Sequence, residues 1–324
     1  MIDAAGRNID YVRISITDKC NLRCIYCMPE EGVVTLRHED LLSHEEILRL
    51  AHAFSSLGIR YIKLTGGEPM ARKGCLSLVR SLKAIPGIKQ VTMTTNGMLL
   101  ADCMEEAAAA GLDGMNISLD TLDPTLYAKL TRRQELTQVL KAIDTALACD
   151  IPKVKVNVVP VRGYTDSSLI PLATLARDKP LDVRFIELMP VGCGADLTPI
   201  PQPEILAQLE AAFGPATEDF SRHGNGPAVY YQFAGFQGGI GFISALSHQF
   251  CDQCSRVRLT PDGELKLCLN HAKSVPLKPL LRAGISDEDL VQVLRDAIYE
   301  KPTEHGFGKD ISDQEQKKMF QIGG

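Results

Sequence analysis

The feature that most constrains the fold is a regular alternation of short apolar segments with helical ones over the first two-thirds of the chain. Six segments are rich in Val and Ile and are short, as buried parallel strands are. They are Tyr11–Ile16, Arg60–Leu64, Gln90–Thr94, Gly114–Leu119, Val154–Val159 and Asp182–Leu188. Strands that alternate with helices predict a parallel sheet covered by helices, which could be an open doubly wound sheet or a barrel.

Helical segments occupy the intervals between these strands. The first begins with a capping box formed by Ser43 and Glu46 and runs to about Leu57. The others are Leu76–Ala84, Asp102–Ala110, Pro124–Leu130, Glu135–Ala148 and Ser167–Arg177.

Polar or glycine-rich clusters follow five of the predicted strands. They are Thr17–Cys27, Thr65–Pro69, Thr95–Gly97, Ser118–Asp120 and Glu187–Pro190. Barrel enzymes build their active sites from the carboxyl ends of many strands, whereas an open sheet uses one switch point. We therefore predict an α/β fold with an incomplete parallel (β/α) barrel of six βα units.

The pattern changes after about residue 200. Pro203–Phe213 is a further helix candidate, and Ala228–Phe233 and Gly239–Ala245 have the pattern of antiparallel strands. Arg256–Thr260 and Glu264–Cys268 flank Pro-Asp-Gly, a hairpin signal, and Asp287–Tyr299 is helical. We predict two domains, a barrel over residues 1–200 and a C-terminal extension over residues 201–324.

Charge and hydropathy exclude several classes of function. The net charge of −5 and the absence of Trp are unlike a general nucleic-acid binder. No apolar run reaches the roughly 18 to 20 residues of a membrane span, and residues 1–7 lack an apolar signal core. We expect a cytoplasmic protein that binds neither nucleic acid nor a membrane. Six of its ten cysteines form two tight groups, which suits metal binding better than a secreted disulfide framework.

The first cysteine group is Cys20, Cys24 and Cys27, spaced C-x3-C-x2-C after the first strand. Three thiolates can hold a [4Fe–4S] cluster and leave one iron open for a small molecule. A zinc site is the alternative, and it would require a fourth ligand, for which His38 is the near candidate.

Gly66-Gly67-Glu68-Pro69 ends the second strand, and two glycines there would let a ligand approach the backbone. With the cysteine triplet after the neighbouring strand, this segment resembles the radical S-adenosylmethionine (SAM) superfamily. The resemblance implies that the open iron binds the amino and carboxylate groups of SAM.

The second group is Cys251, Cys254 and Cys268, in which the predicted hairpin would fold Cys268 back onto the other two. Zinc is again an alternative, with His271 as the candidate fourth ligand. Arg256 and Arg258 follow directly on one face of a strand, and a purely structural zinc site gains nothing from side chains that fit phosphate oxygens.

Together these motifs resemble one family, the GTP 3′,8-cyclases of molybdenum cofactor biosynthesis, nearly from end to end. The matching segments include Tyr11–Asp18, Leu64–Pro69, Thr94–Gly97, Asn116–Asp120, Lys153–Val159 and Arg184–Pro190, with Gly323-Gly324 at the end. The resemblance implies a radical SAM lyase that binds SAM and two [4Fe–4S] clusters. A 5′-deoxyadenosyl radical would remove hydrogen from C3′ of GTP, and the carbon radical would close onto C8 to give 3′,8-cyclo-7,8-dihydro-GTP.

The resemblance also assigns site residues. The SAM contacts it implies are Tyr26, Gly67, Ser118 and Met189. The GTP contacts it implies are Arg13, Lys63, Thr94, Lys155, Arg184, Arg256 and Arg258. Lys63 stands where the family commonly has Arg. The lysine keeps the positive charge but lacks the planar guanidinium fork. Arg13, Arg256, Arg258 and the tail glycines Gly323 and Gly324 would belong to the catalytic machinery.

The partners implied by the resemblance are GTP, an electron donor and cyclic pyranopterin monophosphate synthase as the receiver of the product. The second cluster would bind the guanine edge. The chain would be a monomer or a homodimer. Two other hypotheses are a radical SAM enzyme that modifies a peptide and has an auxiliary cluster, and a non-catalytic protein that binds zinc at both triplets.

Overall fold

The structure is a computed structural model that describes residues 1–307, 315 and 317–323. Twelve strands of this part of the chain join in one sheet. In chain order they are β1 (Tyr11–Ser15), β2 (Tyr61–Thr65), β3 (Gln90–Thr95), β4 (Gly114–Ser118), β5 (Val154–Val158), β6 (Asp182–Ile186), β7 (Thr217–Asp219), β8 (Val229–Gln232), β9 (Ile240–Ile243), β10 (Arg256–Leu259), β11 (Glu264–Lys266) and β12 (Ser274–Pro276).

Helices connect the strands and cover the outer face of the sheet. They are α1 (His44–Ser56), α2 (Cys75–Lys83), α3 (Met104–Ala109), α4 (Pro124–Thr131), α5 (Leu136–Ala148), α6 (Leu169–Asp178), α7 (Gln202–Phe213), α8 (Leu277–Arg282), α9 (Asp287–Tyr299) and α10 (Met319–Ile322). The predicted capping box is present at α1, where Glu46 N donates to Ser43 Oγ at 3.1 Å. Helix α3 is shorter than predicted because Ala101–Cys103 forms a 3₁₀ turn.

The sheet has the order β12-β11-β10-β1-β2-β3-β4-β5-β6-β9-β8-β7. β1 to β6 run parallel in chain order, as predicted, and the sheet is an incomplete barrel. Two strands from beyond residue 200 extend the parallel part, because β10 pairs parallel with β1 and β9 pairs parallel with β6. The antiparallel pairs β10–β11 and β8–β9 were both predicted as such.

Successive residues of the central strands point to opposite faces of the sheet. Val12, Ile14, Ile62 and Leu64 belong to the buried apolar core that lies between the sheet and its helices. The alternate positions of the same strands carry polar side chains that line a cavity on the concave face. Among the described residues, no helix is both long and apolar enough to cross a membrane.

Candidate active site

The first cysteine triplet lies at the carboxyl end of β1, in the loop that follows Thr17. The backbone N–H groups of Cys27 and Met28 both donate to Cys24 O at 2.9 Å, which makes a tight turn. Burial raises the pKa of Cys20 to about 11 and that of Cys27 to about 12. Burial, followed by the charges of Cys27, Asp120 and Cys20, raises the pKa of Cys24 well above its usual range. The three half-buried thiols are thus close neighbours.

Gly66 and Gly67 follow β2 and pack against the loop that leads to Cys20. A Cβ on Gly67 would stand 2.4 Å from Lys19 O, and one on Gly66 would stand 2.6 Å from Thr17 O. The Gly67 N–H donates to Thr17 O at 2.7 Å. These contacts exclude any side chain at either position. The sequence suggested that the approach of a ligand requires glycine at these positions. The contacts with Thr17 and Lys19 show that the chain's own backbone requires it as well.

Glu68 ties this segment to the end of β3. One of its oxygens accepts from Met70 N at 3.0 Å and Thr95 Oγ1 at 2.8 Å, and the other accepts from Asn96 N at 2.7 Å. The Asn96 side chain then donates to Asn21 Oδ1 at 2.7 Å, beside Cys20. Burial raises the pKa of Glu68 to about 7. The network fixes the glycine segment relative to the cysteine loop.

The four residues assigned to SAM lie at the carboxyl ends of four different strands. Tyr26 donates its hydroxyl to Asp120 at 2.7 Å, so the loops after β1 and β4 are joined. Ser118 is the last residue of β4, Gly67 follows β2, and Met189 follows β6. Met189 also packs against a small apolar cluster that contains Ile322 of the chain end.

The second triplet is assembled by the β10–β11 hairpin, as predicted. Cys254 precedes β10 and Cys268 follows β11, which pairs antiparallel with it. Burial raises the pKa of Cys251, and the nearby Cys268 and Cys254 add to the shift. Burial also favours the neutral thiol of Cys254, but Arg256 and Lys301 outweigh it and lower the pKa of Cys254 to about 7.

The zinc alternative named His38 and His271 as the fourth ligands of the two triplets. Within the described residues, no three Cys, His, Asp or Glu side chains converge on one metal ion. The ligands of a zinc ion would all lie about 2 Å from it. His38 is exposed, and His271 Nε2 is 3.1 Å from Glu304 O. Three sulfur donors, as in each triplet, suit a cubane cluster with one open iron. Of the four remaining cysteines, Cys75 is buried, and Cys103, Cys149 and Cys193 are half-buried.

A cavity of about 440 Å³ lies on the concave face of the sheet. Its lining includes six of the seven residues assigned to GTP. They are Arg13, Lys63, Thr94, Lys155, Arg184 and Arg256. Arg258, the seventh, does not line the cavity and donates to Gly323 O at 2.7 Å. None of the four SAM-assigned residues lines it.

The cations of the cavity are buried beside one another. Burial, and then the charges of Arg184, Arg13 and Lys155, hold the pKa of Lys63 well below its usual range. Burial and Arg184 lower the pKa of Lys155 to about 8, although Asp182 opposes the shift. In the described part of the chain, no carboxylate pairs with Lys63. The cavity therefore favours a ligand with several negative charges.

The chain end reaches the same region. Phe320 and Ile322 of α10 are buried, and Gly323 lies close to the ends of β1 and β2, where a Cβ would stand 2.7 Å from Thr65 Oγ1. Its carbonyl accepts the bond from Arg258. Gly324 lies outside the described residues.

Family comparisons agree with this arrangement. Residues 14–176 match the Radical SAM superfamily, and residues 181–307 match Molybdenum Cofactor Synthesis C. A GTP 3′,8-cyclase of Syntrophomonas wolfei is 44% identical, and one of Clostridium perfringens is 41% identical. A third, of Moorella thermoacetica, is 43% identical, and each alignment covers 100% of both chains. The chain belongs to the GTP 3′,8-cyclase family. The resemblance inferred from the motifs is thereby confirmed, and the chain is a radical SAM enzyme of molybdenum cofactor synthesis.

Solved structures share the fold of this GTP 3′,8-cyclase family member. Streptococcus suis SuiB aligns with a TM-score of 0.64 at 15% identity, covering 93% of this chain and 67% of that chain. The hydrogenase maturase HydG of Carboxydothermus hydrogenoformans aligns with a TM-score of 0.55 at 17% identity, covering 90% and 67%. One SuiB structure holds a precursor peptide, but at this identity the likeness concerns the fold alone.

Membership of the radical SAM superfamily implies SAM and one [4Fe–4S] cluster, for which the first triplet supplies a fitting donor set. The sequence reasoning missed other residues that line the cavity of this cyclase-family chain, among them Tyr11, Asn157, His223 and Tyr230. Tyr11 and Asn157 had a usable signal, since they occupy the same alternate positions of β1 and β5 as Arg13 and Lys155. His223 and Tyr230 come from the β7–β8 region and had none.

Proposed function

We propose that this protein is a GTP 3′,8-cyclase. The observation that carries the proposal is the cavity at the concave face of a radical SAM barrel, where five cations converge and three of them, Lys63, Lys155 and Arg184, are buried. A triphosphate bears about four negative charges and needs several cations to hold it. Its binding would offset the burial and the repulsion between cations that together lower the pKa values of Lys63 and Lys155.

In this proposal Arg13, Lys63, Thr94, Lys155, Arg184 and Arg256 bind GTP, and Tyr26, Gly67, Ser118 and Met189 bind SAM at the carboxyl ends of the strands. Cys20, Cys24 and Cys27 would hold the first cluster, which would supply the electron for cleavage of SAM to a 5′-deoxyadenosyl radical. That radical would take hydrogen from C3′ of GTP and leave as 5′-deoxyadenosine. The C3′ radical would close onto C8, and one electron from the electron donor with one proton would give 3′,8-cyclo-7,8-dihydro-GTP.

Cys251, Cys254 and Cys268 would hold a second [4Fe–4S] cluster, whose open iron would bind the guanine edge. The donor set suits this role because it consists of three sulfurs, one of them with its pKa lowered to about 7 by Arg256 and Lys301 against the effect of burial. The buried Lys301 donates to Leu267 O, next to Cys268, and would offset the negative charge of such a cluster.

Arg258 and the tail complete the proposed site. Arg258 holds the Gly323 carbonyl and with it the chain end near Ser15 and Thr65. In the proposal Gly323 and Gly324 shape the space in which C3′ meets the radical. The same proposal includes the division into domains 1–200 and 201–324, a cytoplasmic location and a monomeric or homodimeric state. It also includes an electron donor and transfer of the product to cyclic pyranopterin monophosphate synthase.

The test is anaerobic turnover of reconstituted protein with reductant, SAM and GTP that carries deuterium at C3′. Mass spectrometry would follow the 5′-deoxyadenosine, and deuterium in that product supports the proposal. If 5′-deoxyadenosine forms without deuterium, the radical chemistry stands and GTP is the wrong substrate.

Two arginine variants sharpen this test. Arg256→Ala removes a cation from the cavity lining, so GTP binding should weaken while SAM cleavage persists. Arg258→Ala should release the tail, so deuterium transfer should fall more than GTP affinity does. Equal effects of the two variants on affinity and transfer would contradict their separate roles.

A further inference from the structure

A short segment closes one end of the cavity. Residues 219–226, here called the strap, run from the end of β7 towards β8. Asn225 of the strap donates to Gln90 at the start of β3, with Nδ2 and Oε1 2.6 Å apart. The Arg222 guanidinium lies 5.8 Å from the ring centre of Tyr61 at the start of β2. The strap therefore covers the amino-terminal ends of the parallel strands, opposite the cysteine loop.

His223 of the strap is held between two carboxylates. Its Nδ1 lies 3.1 Å from Asp182 Oδ1, and its Nε2 lies 2.8 Å from Asp219 Oδ2. Carboxylate oxygens accept hydrogen bonds, so the ring nitrogens of His223 are placed to donate to both. The ring also stacks on Tyr230, with ring centres 3.9 Å apart and planes at 9°. These contacts fix the position of His223.

Asp182 is shared between the His223 ring and Lys155. Lys155 Nζ lies 2.9 Å from Asp182 Oδ2, and it also donates to Tyr230 Oη at 2.7 Å and to His223 O at 2.6 Å. The other Asp182 oxygen faces His223 and accepts from Gly239 N at 3.1 Å. One largely buried carboxylate thus lies between a cation on the cavity wall, Lys155, and a hydrogen-bonding ring on the strap, His223.

A lysine can bind a phosphate group only to the extent that its present partner releases it. Lys155 would leave Asp182 as an unpaired buried charge, which is strongly unfavourable, unless another group keeps that charge compensated. His223 and the Gly239 N–H remain on Asp182 when Lys155 turns away. Arg184 and Lys153 repel Lys155 and favour its movement towards an anion.

We propose that His223 is a positioning residue that acts through Asp182 to make Lys155 available to the polyphosphate of the substrate. The inference rests on the proposed function and adds a determinant of substrate affinity from outside the barrel strands. Without His223, the full charge of Asp182 would act on Lys155 and hold it away from the ligand.

His223→Ala tests this in the full-length, cluster-loaded protein at pH 7. We expect the KM for GTP and the Kd for inorganic tripolyphosphate to rise about tenfold, with kcat within about twofold of the wild type. His52→Ala, on the exposed face of α1, is the matched control and should change neither constant.

The double variant His223→Ala/Asp182→Asn separates positioning from mere structural support. Asn keeps an acceptor for Gly239 N and removes the charge that holds Lys155, so tripolyphosphate affinity should recover most of the loss. A further loss in the double variant, or an unchanged Kd in His223→Ala, would overturn the inference. If the wild type binds tripolyphosphate but does not convert GTP, the proposed function fails, and the same comparison of Kd values still decides the role of His223.

Discussion

Lys63 and Lys155 show what the cavity demands of individual side chains. Burying like charges side by side costs free energy, and the lowered pKa values of both lysines record that cost. Lys155 recovers part of it through Asp182, whereas Lys63 has no carboxylate partner among the described residues. The empty cavity is therefore less stable than a cavity filled by a polyanion, and this difference in free energy favours substrate binding.

The pKa of Lys155 makes GTP affinity depend on pH. Burial and Arg184 lower this pKa to about 8, and only the protonated amine attracts phosphate, so affinity should fall as pH rises from 7 to 9. The fall should approach about tenfold per pH unit above 8 if one proton is involved. The measurement is the Kd for GTP at several pH values, in the absence of SAM. Lys155→Arg keeps its charge over this range and should give a flatter profile. An equally steep profile in that variant would assign the titration to another group.

Glu68→Gln should destabilise the protein. At pH 8 the carboxylate accepts three hydrogen bonds, and an amide in its place would turn N–H groups towards the donor Asn96 N. One buried donor left without an acceptor costs about 1–3 kcal/mol. Urea unfolding of the metal-free protein would measure the loss, with the exposed Glu105→Gln as control. Equal free energies of unfolding for Glu68→Gln and the wild type would show that the network is dispensable.

At the scale of elements, the β10–β11 hairpin positions residues of both the cavity and the second cysteine triplet. Its first strand pairs with β1 and sets Arg258 beside Arg13, and its return strand brings Cys268 to Cys254. Gly263 sits in the turn with φ +85°, and a Cβ there would stand 2.6 Å from Lys278 Cβ. The turn thus determines whether the second triplet assembles.

Gly263→Ala should therefore disturb the second triplet selectively. The positive φ and the contact with Lys278 together should cost about 1–3 kcal/mol and shift Cys268. If this triplet holds a cluster as proposed, iron per chain should fall from about eight to about four. Gly284→Ala is the matched control, because Gly284 has φ +80° but no atom within 4 Å of the added Cβ. Full iron content in Gly263→Ala would show that the turn tolerates a side chain.

At the scale of the whole molecule, the six central strands depend on the last third of the chain. β10 covers the free edge of β1, and β9 covers the free edge of β6. Exposed edges of a parallel sheet invite pairing with other chains. The predicted domain boundary near residue 200 therefore separates regions of different sequence pattern that share one sheet.

A fragment of residues 1–200 should consequently aggregate. It would retain β1 to β6 but leave both outer strands, β1 and β6, unpaired. It would also uncover apolar side chains that β9 and β10 bury, such as Phe185, whose ring centre lies 5.7 Å from that of Phe242. Size-exclusion chromatography, with the full chain as control, would reveal the aggregation. A monomeric fragment that unfolds cooperatively would show that the barrel segment is an independent domain.

The elements themselves were largely predictable. Helix α9 has the predicted bounds, Asp287–Tyr299, and α1 starts at the predicted cap, Ser43. Such features follow from contacts between residues three or four apart, which the sequence displays directly. The spacing of each cysteine triplet is equally local, and with the glycine segment it indicated the family.

The sequence by itself therefore determined most of the strands and helices, the turn that folds Cys268 back, and the spacing of the cysteine groups. Only the tertiary structure decided that β9 and β10 join the parallel sheet, that Gly67 is packed against Lys19, and that His223 reaches Asp182. Each of these contacts joins residues at least 40 positions apart, such as His223 and Asp182. Periodicity and propensity reflect interactions between residues that are close along the chain. Long-range pairing depends on how all elements pack at once, so no local pattern encodes it.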